Sequence, residues 1–156
     1  MAISISTYLR NYLLDGGSLE AAFNDSCIVI YSGTVPASAD AAVTGNILAV
    51  ITEAASASLT FATAASGSMT KSSNTWSGTI TGSGTQTATH WRLVSRTTPA
   101  DGTGVTDWGM SADTTSYPRV QGTIGTSGAD GNLSSTSLTN GGIQYIDYFS
   151  IGIPAA

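Results

Sequence analysis

Two short apolar runs, Cys27-Ile28-Val29-Ile30-Tyr31 and Ile47-Leu48-Ala49-Val50-Ile51, constrain this chain more than any other feature. Each is too short for a self-supporting helix, and their β-branched and aromatic residues mark strands covered on both faces. Between them lies a neutral loop of small residues. Ser32-Gly33 ends the first run, Pro36 fixes its own φ and pushes Val35 extended, and Gly45 admits the second run. The expectation over Ser26 to Glu53 is strand, crossover, strand. The stretch sets an architecture and holds no chemical site.

At 156 residues the chain has the size of one domain and can bury a core without disulfides or a metal. Charged residues make up only 10%, against roughly a quarter in typical soluble domains, so Ser, Thr, Ala and Gly must cover much of the surface. Lys and Glu are depleted at protein interfaces, and this chain has only Lys71, Glu20 and Glu53. Either the composition is a habit of the host or of thread-like β proteins, or the surface is built to be covered.

The formal charge is −5, and the four arginines, Arg10, Arg92, Arg96 and Arg119, cluster only at 92 and 96. Gripping a phosphate backbone takes several coordinated cations, so neither nucleic acid nor an anionic membrane is an expected partner. Cys27 stands alone in a buried-type strand, where a thiol acts as a small hydrophobe. No charged segment followed by an apolar stretch opens the chain, and no run reaches about 18 apolar residues. The expectation is a protein outside the usual secretory route, so the glycosylation patterns at Asn24-Asp25-Ser26 and Asn132-Leu133-Ser134 count as chance.

Taken in order, residues 3–14 place Ile5, Tyr8, Leu9, Tyr12 and Leu13 on one helical stripe, with Ser6 or Ser4 as cap and Asp15-Gly16-Gly17 as the stop. That helix either packs on its own sheet or docks to a neighbouring subunit through Tyr8 and Tyr12. Ser18 caps a second short turn through Phe23. Strands are expected at Ser58 to Ala62, with Leu59 and Phe61 sharing a face and a loose loop beyond, and at Thr75 to Thr81. In Thr87 to Ser95, Thr89, Trp91 and Leu93 share one face and Ala88, His90, Arg92 and Val94 the other, so one face is core and the other wet. Thr98-Pro99-Ala100-Asp101-Gly102 is a turn signal, and Val105 to Gly109 should return as a hairpin strand. After a loop at 111–118, Arg119 to Ile124 is a strand, followed by the loop from Gly125 to Gly131 and a short edge piece over 132–139.

The last strand, Ile143 to Ile153, carries Ile143, Tyr145, Asp147, Phe149, Ile151 and Ile153 on one face and Ile146 and Tyr148 on the other, a pattern suited to a strand between sheets or subunits. The fold class is therefore mainly β: an antiparallel β-sandwich or jelly-roll-like barrel with a short N-terminal helix. Residues 1–25 form the helical segment and 26–156 the sandwich, in one compact domain.

Chemistry-bearing constellations are thin. His90 is the sole histidine, and with Cys27 it falls short of any zinc site; the expectation is a partly exposed residue opposite Trp91. Glycoside cleavage needs two facing carboxylates, and Asp101, Asp107 and Asp113 are better placed as turn caps. Asp130-Gly131-Asn132 lacks the other ligands of a calcium loop. Gly78, Gly82 and Gly84 precede a strand, so no helix N-terminus cradles a phosphate. Trp76, Trp91 and Trp108 either line a sugar-binding face or, for at least two of them, pack the core. No catalytic, metal or cofactor-binding residue is expected.

The N-terminal helix followed by Ile30-Tyr31-Ser32-Gly33-Thr34-Val35-Pro36-Ala37-Ser38-Ala39-Asp40-Ala41-Ala42 and Thr44-Gly45-Asn46-Ile47-Leu48-Ala49 resembles small proteins encoded among the structural genes of tailed bacteriophages. Gly84-Thr85 to Trp91-Arg92-Leu93 and Gly122-Thr123-Ile124-Gly125-Thr126-Ser127-Gly128-Ala129-Asp130 look like later blocks of that group in the same order, so the likeness spans most of the chain. It departs at Gly131, where an apolar residue leading toward Leu133 is expected. The resemblance implies a non-enzymatic virion protein used in many copies, with the major capsid protein or other virion proteins as partners. Its acidity places it on the outer surface of the particle, away from packaged DNA, after assembly in the host cytoplasm. A capsid decoration or cement protein, a trimer by preference, leads; a neck, collar or tail component and a carbohydrate-binding module contacting the host surface are the alternatives. The expected subunit contacts are Tyr8, Tyr12, Leu13, Tyr145 and Tyr148.

Overall fold

The computed structural model describes residues 3–54, 58–96 and 107–152. Its centre is the stretch that dominates the sequence. Strands β2 (Ser26–Tyr31) and β3 (Ile47–Glu53) follow β1 (Ser4–Ile5) and helices α1 (Thr7–Leu14) and α2 (Leu19–Ala22). After them come β4 (Ser68–Thr70), β5 (Trp76–Thr79), β6 (Thr85–Thr87), β7 (His90–Ser95) and β8 (Arg119–Gly125). The last four are β9 (Gly131–Asn132), β10 (Ser137–Thr139), β11 (Ile143–Ile146) and β12 (Ser150–Gly152). The main sheet runs β1-β8-β7-β2-β3-β5-β11, with β9 added in parallel beside β8. Two small antiparallel pairs, β10 with β6 and β12 with β4, complete a mainly β, sandwich-like domain.

β2 and β3 are antiparallel neighbours, Val29 opposite Val50, so residues 32–46 form a long returning loop and no crossover. Every residue of β2 is buried. Ile28 and Ile30 face one core with Leu48, Ile51, Trp76, Trp91, Leu93 and Val120. Cys27, Val29 and Tyr31 face a second, smaller core with Val43 and Val94. The N-terminal segment is stitched into this sheet: Ser4 and Ile5 pair with Gln121 and Val120, and Leu9 is fully buried.

Ile5 therefore belongs to a strand and is 39% exposed, outside the helical stripe expected of it. Ser6, and not Ser4, caps α1, its Oγ accepting from Leu9 N at 3.2 Å. Ser18 caps α2 as its spacing predicts.

Four expected strands are corrected. Residues 58–62 make only a bridge, Phe61 to Lys71, while the stretch beyond, expected to be loose, holds β4. Thr87 to Ser95 divides into β6 and β7. The turn at Thr98 to Gly102 and residues Val105 and Thr106 lie outside the described residues, and Asp107 to Gly109 is a turn, with β7 already flanked by β2 and β8. The long last strand breaks between β11 and β12, because Phe149 turns inward against Trp76 and Trp91, at 5.9 Å and 5.3 Å between ring centroids. β12 then joins β4 in a different sheet.

Candidate functional site

The face of β7 expected to be wet is dry. His90 and Arg92 are both fully buried, as is Arg119 on the adjoining β8. The long loops 32–46 and 107–118 cover this face in place of a second sheet, and the arginines hold them there. Arg92 donates from Nε to Gln121 Oε1 at 2.9 Å and from its terminal nitrogens to the carbonyls of Gly109, Ser38 and Ala41, at 2.5, 3.3 and 2.6 Å. Arg119 donates to Ser111 O at 2.7 Å and to the Tyr117 hydroxyl at 2.6 Å, with the Asp113 carboxylate 3.8 Å away. The two loops also bond directly, Val43 N to Met110 O at 2.8 Å and Asp113 N to Asp40 O at 2.9 Å. A planar guanidinium with five donors suits this work, since one side chain satisfies carbonyls from both loops.

His90 is thus no partly exposed residue. Its ring stacks on Tyr31 at 5.0 Å, and Thr89 Oγ1 lies 2.9 Å from Nδ1. Burial, and then the neighbouring Arg92 cation, pull its pKa down from 6.5 to about 4. Burial likewise brings Arg92 down to about 10 and pushes the Cys27 thiol up to about 12, leaving that thiol protonated and unreactive at neutral pH.

The aspartates act as turn caps. Asp107 accepts from Gly109 N and Ser111 N at 2.9 Å and from the Tyr117 hydroxyl at 2.9 Å. Asp113 accepts from Thr115 N and Ser116 N. Asp101 lies outside the described residues. Trp76 and Trp91 are core residues, and Trp108 is half-buried at φ 52, its carbonyl taken by the Tyr31 hydroxyl.

The opposite face of the sheet opens into a groove of about 680 Å³. Ile28, Ile30, Trp91 and Ile124 contribute to its lining, as do residues 130–134 and 143–150 on the segments around β9 and β11, and Ile3 beside β1. Of the expected contact residues, Tyr145 and Tyr148 come together here, 49% and 78% exposed, next to Ile143 at 56%. Tyr8, Tyr12 and Leu13 do not line the groove. Tyr8 stacks on Tyr12 at 6.3 Å, and Tyr12 and Leu13 pack against the core, leaving Leu14 as the exposed apolar residue of α1.

Gly131 departs from the expected apolar pattern for a steric reason. A Cβ there would lie 2.9 Å from Trp91 Nε1, and one at Gly122 would lie 2.7 Å from the same indole. The groove-floor tryptophan occupies the room those side chains would need. Sequence reasoning did not anticipate Ile3, Ile143 or Trp91 as groove residues. The uncharged stretch Gly141 to Ile146 was the one available signal. No protein-family model, curated protein or solved structure matches the chain.

Proposed function

We propose that this is a non-enzymatic structural protein of a tailed-bacteriophage particle, acting as a capsid decoration or cement protein on the outer shell. In this reading it binds the major capsid protein and assembles as a homo-oligomer, a trimer by preference. The observation that carries the reading is an aromatic surface without cations: Ile143, Tyr145 and Tyr148 stand exposed on a groove whose lining, among the described residues, contains no Lys or Arg. Such a patch is easy to dry and is the kind of surface proteins bury against one another. A net charge of −5 keeps the chain away from packaged DNA. The two loop layers pinned by Arg92 and Arg119 supply a stiff body for it.

The test is copy number in purified particles of the phage whose genome carries this sequence, read by quantitative gel analysis. A shell role predicts hundreds of copies, following the many equivalent positions of the capsid lattice. A count near a dozen would move the protein to the neck, collar or tail, and its absence from particles would overturn the virion role altogether.

A further inference from the structure

Strand edges stand on both sides of the groove. Among the described residues β11 closes one edge of the main sheet and pairs only with β5, so alternate residues turn their backbone N–H and C=O away from that partner. Among the described residues β9 likewise pairs only with β8, and all of residues 130–134 and 143–146 line the same space. The coiled main sheet thus resembles a barrel short of one stave.

Three further observations bear on the occupant. Trp91, only 5% exposed, lines the groove, and its buried indole N–H has no hydrogen-bond acceptor among the described residues, which is costly unless a carbonyl reaches it. Gly141 to Ile146 carries no charge and no proline, the usual devices that keep an open edge unpaired. Among the described residues the only charged side chains in the lining are Asp130 and Asp147.

We propose that the groove accepts an extended arm of a different polypeptide, added as a strand beside β11. Its alternate apolar side chains point to the floor of Ile28, Ile30 and Ile124, and a backbone carbonyl accepts from Trp91 Nε1. An occupant flanked by strand edges needs both of its own edges free. A second copy's β11 does not qualify, being already paired to its own β5. The rim carboxylates select an arm with basic flanks, and this chain, with one Lys and four Arg, has no cationic side chain before Arg10 or after Arg119. The inference rests on reading the chain as a component bound to other virion proteins, and it names the kind of contact.

The probe is a short synthetic peptide of alternating valine and threonine flanked by lysines, titrated to millimolar concentration against the isotope-labelled full chain. The expected result is a shift of the Trp91 indole N–H resonance together with slowed amide exchange in Ile143–Ile146. The same peptide flanked by glutamates should bind several-fold more weakly, and Asp147→Lys, at an exposed position, should reverse that preference without altering the fold. No shift with the lysine-flanked peptide would overturn the proposal. So would equal binding of a version with a central proline, which cannot pair along an edge. Concentration-dependent protection of these amides in the protein alone would assign the groove to a second copy and overturn it too. Particle copy number is read independently, so an empty groove leaves the virion role standing.

Discussion

At the scale of single residues, two buried cations do what a second sheet does in most sandwiches. A buried charge is costly unless it is hydrogen-bonded, and Arg92 places four of its five donors on three loop carbonyls and Gln121. Arg92→Lys keeps the charge but cannot span Gln121 on one side and the two loops on the other. The expected loss is about 2–4 kcal/mol in urea unfolding, since several buried carbonyls lose their donor. Amide exchange should also rise at Val43 and Asp113, whose N–H groups bond across the two loops. An unchanged midpoint would show that the loops hold themselves in place. This arrangement was hidden in the sequence for a physical reason. His90 and Arg92 alternate with Trp91 and Leu93 as solvent-facing residues do, and only the distant carbonyls of residues 38, 41 and 109 make that face dry.

At the scale of elements, what was legible followed local chemistry. β2, β3 and β8 are dense in β-branched or aromatic residues, and α2 is announced by its Ser18 cap. Strands were misplaced where tertiary packing overrode the alternating pattern: Phe149 leaves the last strand to join Trp76 and Trp91, and residues 58–62 yield to β4. The candidate surface was half legible, because Tyr145 and Tyr148 sit on the groove while Tyr8, Tyr12 and Leu13 lie outside its lining. Ser6 joins both kinds of information. Its Oγ caps α1 through Leu9 N and also accepts from Arg119 N at 3.0 Å, while its own N–H donates to Arg119 O at 2.9 Å. One hydroxyl therefore starts the helix and ties it to β8. Ser6→Ala leaves two buried N–H groups without that acceptor, and the expected cost is about 2–3 kcal/mol, above the roughly 1 kcal/mol of an ordinary cap. Ser18→Ala, which removes only the exposed acceptor for Ala21 N, should cost no more than about 1 kcal/mol by the same measurement.

At the scale of the whole molecule, stability should fall with acidity in two stages that different groups control. His90 stays neutral in the folded chain down to about pH 4, whereas an unfolded histidine takes up its proton near 6.5. The unfolded state then binds more protons, so stability declines as pH falls through that interval and levels off below it. The full shift is worth about 3 kcal/mol, a large share of a domain's net stability. The second stage belongs to carboxylates. Burial works against Glu53, Asp107 and Asp130, yet hydrogen bonds outweigh it and hold all three below their ordinary values: from Thr60 and Asn74 to Glu53, from Gly109, Ser111 and Tyr117 to Asp107, and from Thr123 to Asp130. Their contribution is present above the unfolded carboxylate range and is lost as pH drops through about 4 and below. His90→Phe separates the stages, because a phenyl ring keeps the stack on Tyr31 and removes the titration. Urea midpoints measured across the acid range should slope between about pH 6.5 and 4 in the natural chain, stay level there in His90→Phe, and fall together once the carboxylates protonate. Parallel curves for the two proteins through the upper interval would mean that His90 gains its proton without opening the loop-covered face, contrary to a burial that leaves Nε2 without a partner among the described residues.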